Sequence, residues 1–146
     1  MTTYLLDANV LVAIAWPGHS SHEQAERWFV RKGSQNWATC PFTQAAFVRL
    51  LSNPSVNPRA VAPLEAIRAL QESTALPEHH FWPDDIPFAA AVEHLGTRLI
   101  GYRQATDAYL LGLAVRKKGV LATLDARTLA IAPEGTPARV HLEIIK

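Results

Sequence analysis

Asp7, Asp107 and Asp125 are the residues whose type and placement can do chemistry together. Asp7 follows the apolar run Tyr4-Leu5-Leu6, and Asp125 follows Val120-Leu121-Ala122-Thr123-Leu124, so each carboxylate sits where a buried strand ends. Asp107 lies one turn before Leu110 and Leu111, on the stripe that a helix over Gln104 to Lys118 turns towards a core. In parallel α/β sheets the rim between strand ends and helix starts stays open, and ligands bind there. If the two strands are neighbours, the three acids converge. Clustered carboxylates raise one another's pKa unless a cation neutralises them, and an all-oxygen set points to Mg²⁺ or Mn²⁺ rather than zinc. Such an ion activates water and stabilises the charge that develops in phosphodiester cleavage. Taken singly, each aspartate has a plainer use at a helix start, where Thr106 is a further candidate cap.

The elements that must position these acids follow from pattern. The first strand runs through Asp7 into a short helix carrying Val10, Leu11 and Ile14, and Trp16-Pro17-Gly18-His19 ends it. Ser20 with Glu23 reads as a capping box for a second helix reaching about Lys32. Asn36 to Cys40 is a second strand, and Pro41-Phe42-Thr43 turns it into a third helix with Phe47, Val48, Leu50 and Leu51 inward. Ser55 to Pro63 is a loop, and Leu64 to about Thr74 a helix beside the sheet. His79-His80-Phe81-Trp82 is a short strand, Ile86 to Leu95 a helix ending at Gly96, and Arg139 to Ile144 an alternating edge strand.

Composition narrows the function. At 146 residues and 49% hydrophobic content the chain makes one domain, residues 1–146, with a real core. No apolar run is long enough for a membrane span and the amino terminus carries no signal pattern, so no membrane contact and a cytoplasmic location are expected. A formal charge of +1 excludes a broadly basic surface; nucleic-acid contact must come from local clusters such as Arg116-Lys117-Lys118, a run that also suits the last turn of a helix. Cys40 has no partner for a disulfide or thiolate site, the pairs His19/His22 and His79/His80 lack a third ligand, and Asp84 and Asp85 sit between prolines as turn residues.

Five stretches in register resemble a known family. They are Leu5 to Leu11, Thr43-Gln44 through Arg49, Phe81 to Asp85, Thr106 to Leu111, and Thr123-Leu124-Asp125, and together they are similar to a PIN domain of the VapC toxin type. The resemblance implies a three-layer α/β/α fold with a central, mainly parallel sheet. It also implies a metal-dependent endoribonuclease, a homodimer and a cognate antitoxin that blocks the site. It makes Asp7, Asp107 and Asp125 the Mg²⁺- or Mn²⁺-binding acids, Asn9, Thr106 and Thr123 polar neighbours of that site, and Arg49 a basic position near it. The proline-flanked middle helices, with Trp16 and Trp82, are where an antitoxin groove is expected. The family has a glutamate at the start of the third helix, where this chain has Gln44, whose amide can accept a hydrogen bond but brings no charge and cannot act as a base.

Gln44 leaves open a rival reading, a weakened PIN domain that binds RNA or antitoxin without cutting. A phosphotransfer domain with Asp7 as acceptor is disfavoured, because Asp7-Ala8-Asn9 lacks the second acid of an Asp-x-Asp motif and no matching lysine follows a late strand.

Overall fold

The structure, a computed structural model, describes all residues 1–146. Five short strands form its centre: β1 Tyr4–Leu6, β2 Trp37–Thr39, β3 His79–Phe81, β4 Val120–Thr123 and β5 Leu142–Ile144. They pair in the order β3-β2-β1-β4-β5, and every pairing is parallel. Parallel strands require crossovers, and those crossovers place helices on both faces, so the central strands are buried on both sides.

Alternation along β1 divides the core. Leu5 points into one cluster with Leu121, Leu110, Leu111, Leu113 and Leu95; Tyr4 and Leu6 point into the other with Val10, Val12, Trp28, Trp37 and Phe47. The second cluster is covered by α1 Ala8–Ala15, α2 His22–Trp28, α3 Pro41–Leu51 and α4 Pro63–Thr74. The first is covered by α5 Phe88–Val92 and α6 Ala105–Arg116. The three layers are therefore α/β/α. Because β1 and β4 are neighbours with Leu6 opposite Ala122, Asp7 and Asp125 leave the same edge of the sheet.

Several boundaries differ from the sequence reading for identifiable reasons. The second helix continues past Trp28 only as a π-helical turn, Phe29–Gly33. Its start is not a Ser20 capping box: Ser21 precedes the helix without a side-chain cap. Instead, His19 Nδ1 accepts from the Ser21 amide at 3.0 Å, and His22 Nδ1 lies 2.7 Å from the Ala13 carbonyl oxygen. The helix expected over Ile86 to Leu95 shortens to α5 and passes into 3₁₀ turns over Glu93–Arg98, with Gly96 at φ +56°. α5 packs so closely on α6 that a Cβ at Gly112 would overlap the Ala91 carbonyl. The last strand is Leu142–Ile144 alone, because Pro137–His141 coil as a 3₁₀ segment that buries Ala138. Trp82 is a core residue, packed against Gly119, and offers no docking surface; Trp16 is half-buried. No helix is long and apolar enough to cross a membrane.

Candidate active site

A hydroxyl links the ends of the two central strands. Asp7 caps α1, its Oδ1 accepting from the Ala8 amide at 2.7 Å, while its Oδ2 accepts from Thr123 Oγ1 at 2.8 Å. The same Thr123 oxygen accepts from Asn9 Nδ2 at 3.1 Å and from the Asp125 amide at 3.1 Å. Asn9 Oδ1 in turn accepts from the Leu124 amide at 3.2 Å. Asp7, Asn9, Thr123 and Asp125, more than a hundred positions apart in two pairs, thus form one hydrogen-bonded unit. Thr123 is fully buried and has no solvent to replace these bonds.

Asp107 joins this unit through charge rather than through a hydrogen bond. It stands in the first turn of α6, and with Asp125 it lines an open cleft of about 610 Å³ whose other polar walls include Arg103, Gln104 and Arg127. Burial, with the negative charges of Asp7 and Asp125, pushes its carboxyl up to about 6. Asp7 is also shifted upwards, mainly by burial, against the opposing pull of its bonds to Thr123 and Ala8. Asp125 goes the other way: the Arg127 side chain holds it below the usual carboxylate range. Three oxygen donors, two of them carrying charge that the protein disfavours, suit a divalent cation.

The convergence is looser than the sequence reading expects, since no three acidic, imidazole or thiol side chains are grouped as a ready metal cage. Arg127 takes both oxygens of Asp125, Nε at 2.9 Å from Oδ1 and Nη2 at 2.9 Å from Oδ2. Arg49, expected beside the acids, is exposed on α3 and makes no ion pair within 4.0 Å. Thr106 is exposed on α6 and does not cap it; the helix is preceded by Gln104. Gln44 is half-buried at the start of α3 and donates through Nε2 to Thr39 Oγ1 at 2.9 Å, so its amide is committed to the end of β2 rather than bonded to an aspartate. Arg127 and Arg103 escaped the sequence reading. The available signal was local: a basic residue two places after a strand-end aspartate can fold back on it through a tight turn.

A family model described as the PIN domain matches residues 4–133. Ribonuclease VapC39 of Mycobacterium tuberculosis is 42% identical over 133 residues, spanning 91% of this chain and 96% of that protein. Ribonuclease VapC38 of the same organism is 41% identical over 138 residues, spanning 94% and 96%. Among solved structures, M. tuberculosis VapC20, a Sarcin-Ricin loop cleaving toxin, superposes with a TM-score of 0.63 at 16% identity, covering 88% of this chain and 95% of its own. FitAcB from Neisseria gonorrhoeae gives 0.62 at 21%, covering 95% of each. A parallel α/β/α domain with acids at one sheet edge is thus the class, and the chain belongs to the PIN domain family. Within that family it is of the VapC type.

Proposed function

We propose that this protein is a metal-dependent endoribonuclease, the toxin of a toxin–antitoxin pair. The observation that carries the reading is geometric: the Thr123 hydroxyl joins Asp7 to the Asp125 backbone at one edge of the sheet, and Asp107 lines the same cleft as Asp125. Relatives called ribonucleases, matched over almost their whole length, supply the substrate class. Asp7, Asp107 and Asp125 are the residues to hold Mg²⁺ or Mn²⁺, which when bound supplies an activated water and a counter-charge for the phosphodiester. Thr123 and Asn9 fix the orientation of Asp7 and the backbone of Asp125. Arg127 balances the charge of Asp125 through their ion pair.

The partner reading has its own support. Leu11, Ile14, Phe29, Phe47, Leu70 and Leu76 line an apolar groove of about 270 Å³ between α1, α3 and α4, and α4 leaves Leu64 and Ile67 exposed beside it. An apolar antitoxin segment fits this groove better than the buried Trp82. We assign the protein to the cytoplasm, where RNA and antitoxin meet, and assign it a homodimeric state. The rival, a PIN domain that binds without cutting, is favoured by one observation, the uncharged Gln44 at the start of α3.

The two readings separate in a cleavage assay. An end-labelled single-stranded RNA incubated with Mn²⁺ is expected to yield discrete internal cuts that EDTA abolishes and Asp107→Asn removes. Binding of that RNA with no cut at any Mn²⁺ concentration would favour the rival.

A further inference from the structure

The cleft has an acidic floor and a basic, aromatic rim. Arg103 and Arg127 flank Asp107 and Asp125 in its lining. Beside Arg103 stands Tyr102, which is 84% exposed and contributes nothing to the core. Arg103 Nε donates to Tyr102 Oη at 3.2 Å, and its guanidinium carbon lies 5.7 Å from the ring centre. The turn carrying the pair is fixed: Gln104 Oε1 accepts from the Ile100 amide at 2.9 Å and from the Gly101 amide at 3.1 Å. Thus a solvent-facing aromatic ring is held against Arg103, which with Arg127 lines the acidic cleft. With a formal charge of only +1 the whole protein exerts little pull on a polyanion, so affinity must come from such local placement.

Resting on the ribonuclease reading above, we propose that Tyr102, Arg103 and Arg127 form the RNA-gripping rim of the site, Tyr102 stacking one unpaired base and the two arginines contacting the flanking phosphates. Stacking suits a ring that presents its face to water, since every base has a π-face, whereas a base inside a duplex offers none. Arginine suits the phosphates because the guanidinium has donors to spare: Arg127 Nη1 and both Nη groups of Arg103 remain free beside the bonds to Asp125 and Tyr102. The rim thus selects single-stranded over double-stranded RNA and orients the strand across Asp107 and Asp125.

The test is fluorescence anisotropy with a labelled single-stranded RNA 12-mer in EDTA, using wild type and the Tyr102→Ala, Tyr102→Phe, Arg103→Ala and Arg127→Ala variants. A set of 12-mers each lacking one base scans the strand. Tyr102→Ala is expected to weaken binding of the intact strand about five- to tenfold, and Tyr102→Phe to leave it unchanged. One abasic position should cost wild type the same factor and cost Tyr102→Ala nothing more. Each arginine variant should weaken all strands alike and lower the salt slope by about one. The proposal is overturned if Tyr102→Ala binds the intact strand as wild type does, or if its loss is the same for every abasic strand. It is equally overturned if the substitution alters the sedimenting mass and not RNA affinity, which would make the ring a protein contact. Cleavage of the same 12-mer with Mn²⁺ is followed in parallel. A stacking signature without cleavage removes the nuclease reading and keeps the rim; cleavage without the signature removes the rim alone.

Discussion

Arg127 closes a two-pronged ion pair on Asp125, with Nε 2.9 Å from Oδ1 and Nη2 2.9 Å from Oδ2. The aspartate also accepts from the Arg127 amide at 3.0 Å, so the two residues form one small loop. Asp125 thereby keeps its charge beside two carboxylates that are shifted the other way. Removing the guanidinium by Arg127→Ala should bring the Asp125 carboxyl upwards and free its oxygens for a cation. Mn²⁺ affinity is expected to rise about two- to fivefold, the range of an exposed pair, with folding stability unchanged. Calorimetric titration and a carboxyl-detected NMR titration check this; weaker Mn²⁺ binding would mean that Arg127 supports the site rather than competing for it.

Stability without metal should depend on pH with an unusual sign. Asp107, pushed up to about 6, holds its proton more tightly in the folded chain than in the unfolded one, where about 3.9 applies. Between those values the native state binds more protons, so stability is fullest below the unfolded pKa and is lost as pH rises through 6. A shift of about two units corresponds to ~3 kcal/mol at full burial; screening over the exposed part of Asp107 reduces it to about 1–2. Asp7 acts in the same direction, and Asp125, shifted down, in the opposite one at lower pH. Urea denaturation at pH 5 and pH 7 should show the loss. Asp107→Asn should reduce it, and Mn²⁺ at about a hundred times its Kd should offset it by ~2.7 kcal/mol in wild type only.

The hydroxyl that joins the strand ends gives a third expectation. Thr123→Val keeps the shape but strands three groups: Asp7 Oδ2, Asn9 Nδ2 and the Asp125 amide. The fold is expected to lose about 1–3 kcal/mol, and Mn²⁺ affinity about 10- to 100-fold. Thr123→Ser should restore most of both. A valine variant with wild-type Mn²⁺ affinity would show that the network serves the fold alone.

The family resemblance points to residue 44, a glutamine here, as a position that sets the strength of the site. Two unit charges about 4 Å apart at an effective dielectric near 20 interact by on the order of 4 kcal/mol, and desolvation removes much of that. Gln44→Glu is therefore expected to tighten Mn²⁺ on the order of tenfold, speed RNA cleavage and slightly destabilise the metal-free fold. The substitution also exchanges the amide that donates to Thr39 for an acceptor, to which the Thr39 hydroxyl can donate instead. Unchanged Mn²⁺ affinity and rate would mean that residue 44 lies outside the site.

How far the sequence could be read depends on where the determining forces lie. Continuous apolar runs before Asp7 and Asp125 encode doubly buried strands, so the parallel sheet and the shared edge of the two acids were legible. Asn9 and Thr123 were legible as neighbours of Asp7 through the family resemblance, although the single hydroxyl that links them was not. The counter-ion of Asp125 was not legible: the resemblance gave Arg49 only as a basic position near the site, whereas the 3₁₀ turn Ala126–Ile131 brings Arg127 back onto Asp125, a contact that periodicity does not register. The close packing of α5 on α6 was not legible either, because the approach of Ala91 to Gly112 is a tertiary contact that periodicity does not register. Trp82, offered as a groove candidate although core was the commoner fate for either tryptophan, is buried against Gly119, a long-range contact that its neighbours in sequence do not encode.

The most direct test of the account is a crystal structure of the protein soaked in Mn²⁺ with data collected for anomalous scattering. The expected result is a Mn²⁺ peak within about 2.0–2.4 Å of carboxylate oxygens from Asp7, Asp107 and Asp125, or reaching one of them through a bound water, with Arg127 turned away from Asp125. A peak elsewhere, or saturating Mn²⁺ that leaves the Arg127–Asp125 pair closed and the three acids without an ion, would contradict it.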